Sequence, residues 1–246
     1  MTPRMRRDGD AYVKRVADPA AAGQIAAWTA ALRGAGVPTP EARLDTATGA
    51  LIFPVIEGTS GLASIVERGE SALTELLRPL LALHRAAVPG LSPFDPAAKI
   101  YARLEPRDPA PLRDELRALL AALPAPASPG PVHGDFHAGQ LVLDPAGRAW
   151  LLDLEDLAAG APESDLGNFA AHLGTRPETR RGPVRDGFEH WLDHVLGAYS
   201  GIGGQAAAEL ARLHGRIALI RRALKLDRRG NSAVLMELWP RRRPDK

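Results

Sequence analysis

Cysteine is absent, which removes disulfides and cysteine-bound metal or redox centres from consideration. Lysine is almost as scarce. Lys14, Lys99, Lys225 and Lys246 are the whole complement, so Lys14 stands alone in the first 98 residues. No apolar run reaches the length of a bilayer-crossing helix. The opening residues, rich in Arg and Asp, lack the apolar stretch of a secretory signal. A cytoplasmic protein with no membrane partner is expected. The charge excess is small, +2 over 246 residues. A sequence pI of 9.2 invites a nucleic-acid reading. The basic residues are spread along the chain apart from Arg241–Arg243, however, so no footprint for a polyanion results and no nucleic-acid partner is expected. No internal repeat is present, and no Gly-x-Gly pattern precedes Lys14. What remains, 45% apolar and 24% charged residues, is the composition of an ordinary globular chain. Its length allows one large domain or two small lobes.

The chemistry concentrates between Val132 and Leu157. His133-Gly134-Asp135-Phe136-His137-Ala138-Gly139-Gln140 opens the stretch. Leu141–Leu143 and Ala149–Leu152 are short apolar runs joined by Asp144-Pro145-Ala146-Gly147, the pattern of a β-hairpin. Asp135 then enters the hairpin and Asp153 leaves it, so both carboxylates and Gln140 can face one cleft. Phosphoryl transfer needs an acceptor for a hydroxyl proton, oxygen ligands for Mg2+ and a cation on the phosphates. Asp135 suits the first task, and Gln140 with Asp153 the second. The order His-x-Asp, an amide five residues on and a second Asp beyond it is that of a protein-kinase catalytic loop, with Gln in place of Asn.

Together with Leu151-Leu152-Asp153 and Gly160-Ala161-Pro162-Glu163-Ser164-Asp165-Leu166, this stretch resembles the aminoglycoside phosphotransferase family of kinase-fold enzymes. The Gly139-Gln140 ending is similar to that of maltokinase-like sugar kinases. The resemblance implies an α+β, bilobal, protein-kinase-like fold with a small N-terminal sheet lobe (1–57) and a mostly helical C-terminal lobe (58–246). It implies an enzyme that uses ATP and Mg2+ to phosphorylate a hydroxyl of a small molecule such as an aminoglycoside or a sugar. Asp165 takes the place of the family's structural Asp.

Asp8-Gly9 marks a hairpin whose second strand carries Lys14. In a kinase a strand lysine there meets the α- and β-phosphates. Asp18-Pro19 caps a helix to about Arg33. Gln24 is the residue that best matches the glutamate partnering that lysine, and it cannot form the ion pair. Pro54-Val55-Ile56-Glu57-Gly58 resembles the interlobe hinge, where the backbone of Pro54 and Ile56 would meet adenine. One strand before Lys14 leaves the phosphate-covering loop either truncated or upstream of the given start. Gly58-Thr59-Ser60-Gly61 lacks a Lys and reads as a flexible connector rather than a phosphate loop.

Further helices are expected over Ser71–Ala87 (with a kink at Pro79), Pro96–Leu104, Pro111–Leu123, Phe188–Tyr199, Gln205–Leu226 and Ser232–Trp239. His84, among leucines, reads as a satisfied buried histidine. Glu155, Asp156 and Glu163 read as solvated loop charge, with a cationic-substrate subsite as the sharper alternative. The spacing of His190, His194 and His214 lacks a nearby carboxylate set for zinc, so a zinc site is not expected. The competing functional readings are a pseudokinase-like binding protein, favoured by Gln24 and the missing Gly-rich loop, and a phosphohydrolase with water as acceptor.

Overall fold

The computed structural model describes residues 5–16, 18–101, 104–105 and 108–238. Its first part is a four-stranded antiparallel sheet. Strands β1 (Met5–Asp8) and β2 (Ala11–Arg15) form the expected hairpin. After helix α1 (Pro19–Gly34), capped by the Asp18 carboxylate, come β3 (Arg43–Asp45) and β4 (Ala50–Pro54). The order is β1-β2-β4-β3, with Lys14 opposite Leu51. Ala22 and Ile25 of α1 pack on Ala42 and Leu51, a core too small to stand far from the rest of the chain. The Pro38 carbonyl accepts a hydrogen bond from Leu151 N (2.8 Å), tying this lobe to the central hairpin.

The join between the lobes is ordered, which corrects the expected flexible connector. Strand β5 (Thr59–Ser60) pairs with β7 (Leu141–Leu143), and the Ser60 hydroxyl accepts from Ala63 N to cap α2 (Gly61–Arg68). Gly58, at φ 153°, permits this pairing, because a Cβ there would lie 2.1 Å from Leu143 O. Helix α3 (Leu73–Arg85) runs through Pro79 and buries Leu76, Leu77, Leu80 and Leu83. Of the helix expected over 96–104, α4 (Ala98–Tyr101) is described, started by the Asp95 carboxylate, which accepts from Ala97 N and Ala98 N. Residues 102 and 103 lie outside the described residues, as do Trp239 and the Arg241–Arg243 tail. Helix α5 (Ala110–Ala122) follows as expected.

Strand β6 (Gly130–Val132) pairs with β9 (Ala158–Gly160), and β7 with β8 (Ala149–Leu151), so the hairpin read from the sequence is present. Helix α6 (Pro162–Gly174) is buried along nearly its whole length. It lies against α7 (Val184–Gly201) and α8 (Ala208–Asp227), with α9 (Ala233–Leu238) behind. Helices approach closely only where side chains are small. A Cβ on Gly167 would sit 2.4 Å from Ala211 O, so α6 and α8 meet backbone to backbone there. Phe136 stacks on Phe169 of α6 at 4.8 Å and anchors the loop that follows β6 to this helical core.

Candidate active site

The loop after β6 is held by one buried carboxylate. Asp165, in the first turn of α6, accepts from His133 N (2.7 Å) and Gly134 N (3.0 Å). The resemblance gives Asp165 the place of a structural Asp, and here it ties down the neighbouring loop. His84 Nε2 meets the same carboxylate at 3.1 Å, and the Tyr199 hydroxyl lies 2.7 Å from His84 Nδ1. The satisfied buried histidine expected at position 84 is therefore the middle of a relay. Burial, and then the Asp165 charge, push the Tyr199 phenol well above its ordinary pKa. His133 Nε2 reaches Leu152 O at 2.8 Å, binding the loop to the far arm of the hairpin. Gly134 has φ +77°, and a Cβ there would lie 2.3 Å from Asp156 O. Only glycine allows this crossing, which brings Asp135 and the Asp153 segment into one place.

Lys14, Gln140 and Asp153 converge there. Lys14 Nζ lies 2.7 Å from Asp153 Oδ1 and 2.9 Å from Glu155 Oε1, while Gln140 Nε2 donates to Asp153 Oδ2 at 3.1 Å. Burial works against the Lys14 charge, but the hydrogen bonds and charges of Asp153 and Glu155 outweigh it and hold its pKa above the usual value. Asp153 has φ 58° and ψ 68°, the sole positive φ outside glycine among the described residues. A non-glycine residue in that region is strained, and such strain collects at functional sites. Gln24 is exposed, and no hydrogen bond joins it to Lys14 among the described residues. The lysine's partner is Glu155, which corrects the reading of that residue as solvated loop charge or substrate subsite. Glu163 is likewise buried, accepting from Ala207 N (2.7 Å) just before α8. Of the three acids in the exit loop, Asp156 alone is exposed.

Asp135 has a partner the sequence did not supply. Arg221 Nη2, on α8, lies 2.7 Å from Asp135 Oδ1 and 2.8 Å from Asn168 Oδ1. Asn168 in turn donates to Phe136 O (2.7 Å), fixing the residue next to Asp135. The available signal was an Arg221-Arg222 pair interrupting the apolar face of α8 that Ile217, Ile220 and Leu224 define. Pro54 ends β4 opposite Ala11, exposed. Ile56 is half-buried in the join, and its amide makes no hydrogen bond among the described residues.

The donor set suits a hard divalent cation. Asp153 offers a carboxylate, and turning the Gln140 amide end for end exchanges its NH2 for its carbonyl oxygen, the ligand type such ions require. The histidines on α7 have a carboxylate after all. His190 Nε2 lies 2.8 Å from Glu70 Oε1, and one ligand atom each from Glu70, His190 and His194 lie within 4.8 Å of one another. No described helix is long and apolar enough to cross a membrane.

A family model described as the phosphotransferase enzyme family matches residues 4–213. No curated protein sequence matches the chain. Among solved structures, a choline/ethanolamine kinase family protein from Mesorhizobium loti is 20% identical, covering 95% of this chain and 79% of its own, with a TM-score of 0.66. A macrolide 2'-phosphotransferase from Brachybacterium faecium is 18% identical, covering 98% and 90%, with a TM-score of 0.61. An amicoumacin kinase, in complex with AMP-PNP and Ca2+, is 13% identical, covering 92% and 81%, with a TM-score of 0.63. The expected α+β kinase-like fold is thus present, with a small antiparallel sheet lobe and a helical remainder.

Proposed function

The chain belongs to the phosphotransferase enzyme family, and from that premise we propose that it moves the terminal phosphoryl group of ATP to a hydroxyl of a small molecule with the help of Mg2+. The observation that carries this reading is the meeting of Lys14 with Asp153, 139 residues apart in sequence, beside Gln140 and one short loop from Asp135. We take the lobes to divide at 57/58, with the backbone around Pro54 and Ile56 receiving adenine; the unused Ile56 amide supports that placement.

Asp153 and Gln140 would hold the metal, which supplies charge neutralisation on the phosphates when bound. Lys14, kept protonated by Asp153 and Glu155, steadies the α- and β-phosphates. Arg221 and the Asp165-pinned backbone fix where Asp135 points, so that its carboxylate can take the proton of the incoming hydroxyl. Sugars and aminoglycosides are the acceptor classes that the resemblance suggests. The test is an ATP-consumption screen over hydroxyl-bearing metabolites and antibiotics, with thermal stability measured beside it. Mg-ATP should raise the melting temperature, because any ligand that prefers the native state does so. No shift at millimolar Mg-ATP sinks the enzyme reading and favours the pseudokinase. Hydrolysis that no added alcohol accelerates favours the phosphohydrolase.

A further inference from the structure

Glu70, His190 and His194 form a cluster of metal-ligating side chains that shares no residue with Lys14, Asp135, Gln140 and Asp153. It is separate, too, from the cavity beside the catalytic loop, which Gly134, Asn168, His214 and Arg221 help to line. Two elements supply it. His190 and His194 lie four residues apart on α7, about one turn, and so share a face. Their ring centroids are 4.4 Å apart, with the planes tilted by 33°. Glu70 stands on a short 3-10 helix (Gly69–Ala72) between α2 and α3, 120 residues from His190.

Both elements are fixed from beneath. Phe188, Trp191, Leu192 and Val195 are buried and set the rotation of α7, and Trp191 Nε1 donates to Thr179 O at 2.8 Å. Ala72 and Leu73 are buried and anchor the turn that carries Glu70. Ligands held on anchored elements need little reordering to take up an ion.

The spacing fits one small cation. His190 Nε2 lies 2.8 Å from Glu70 Oε1, and one ligand atom from each of the three residues lies within 4.8 Å of the others. Two ligands about 2.1 Å from a tetrahedral zinc stand about 3.4 Å apart. Glu70 and His190 are already inside that span, and His194, exposed at the rim, has space to turn into it. Arg181 Nη2 is 3.8 Å from the same Glu70 oxygen, beyond hydrogen-bonding reach, so it does not stand in for an ion there. Two histidines four apart on one helix are a zinc-binding spacing. Imidazole donors suit zinc, whereas Mg2+ prefers oxygen ligands alone, so this cluster and the Asp153 carboxylate select different ions.

The geometry points to a zinc site: Glu70, His190 and His194 hold one Zn2+, leave a fourth position to water, and so tie the turn between α2 and α3 to α7. The site is independent of the phosphotransferase reading. Without an ion the same contacts are a half-exposed hydrogen bond of small worth.

The test is calorimetric titration of the full chain, free of any purification tag, with Zn2+ in buffer holding excess Mg2+. One zinc per chain should bind. The melting temperature should rise, because the three ligands meet only in the folded state, and a chelator should reverse the gain. Glu70→Gln, His190→Gln and His194→Gln should each weaken binding by about 100-fold, since loss of even an outer-shell partner of a metal site costs about 10–100-fold. His194 is exposed, so its variant keeps the fold and carries the test if the other two do not. Asp153→Asn and His214→Gln should leave zinc binding unchanged, which excludes the hairpin acid and the cavity histidine as ligands. Co2+ in place of zinc should show the visible absorption of a four-coordinate ion, lost in His194→Gln. Absence of binding at sub-millimolar zinc, binding that His194→Gln leaves at full strength, or binding lost in Asp153→Asn overturns the site. Zinc that binds without raising the melting temperature overturns the tie between the two elements.

Discussion

The two sides of Asp135 are built on opposite charge. Toward the hairpin, one lysine faces two carboxylates, Asp153 and Glu155. Toward α6 and α8, one carboxylate faces Arg221, with Arg222 and Arg176 nearby and two histidines kept neutral. The first side is short of positive charge and suits a divalent cation bearing phosphates. The second pairs its one acid with a guanidinium that lines the neighbouring cavity.

The strongest way to break this comparison is at the residue both sides share. Asp135→Asn should lower turnover by about 100-fold or more, while Mg-ATP still raises the melting temperature; near-normal turnover would remove Asp135 from the proton transfer. Gly134→Ala drives a Cβ into Asp156 O and asks a left-handed backbone of an alanine. A loss of about 2–3 kcal/mol in chemical denaturation is expected, and an unchanged midpoint would mean that the loop and the Asp153 segment are not locked together. On the negative side, Glu155→Gln should raise the KM for ATP by about tenfold, whereas Gln24→Ala should leave it alone. The opposite ranking would restore Gln24 as the lysine's partner.

The last test belongs to the positive side. His137 and His214 titrate at about 4 when folded, against an ordinary 6.5, because burial disfavours their charged forms. Between those values the unfolded chain binds more protons than the folded one, so stability is full above about pH 6.5 and declines as pH falls toward 4. The decline is read from denaturation at constant ionic strength. His214→Gln should flatten the curve, and a flat curve in the unaltered chain would contradict the burial of these rings.

Much of the negative side was legible from local pattern. Residues 133–153 lie in one continuous stretch, and the hairpin brings its ends together by turn chemistry alone. Lys14 was found by elimination, there being no rival within reach in sequence. Glu155 was missed because an acid two residues after Asp153 looks the same in sequence whether it meets water or a lysine from another lobe. The positive side was almost illegible. Arg221 and Asp135 are 86 residues apart, and helical periodicity marks an arginine on a buried face as an anomaly without naming its partner. The ordered β5 join was misjudged for the same reason: cross-strand partners 82 and 84 positions away decide it.

By itself the sequence determined the reaction class, because the residues proposed to handle protons and metal in phosphoryl transfer sit on neighbouring turns whose geometry is set by local rules. The tertiary structure alone decided which charges remain uncompensated. Compensation is a matter of distance between side chains from separate elements, and the close α6–α8 approach at Gly167 fixes those distances around Asp135.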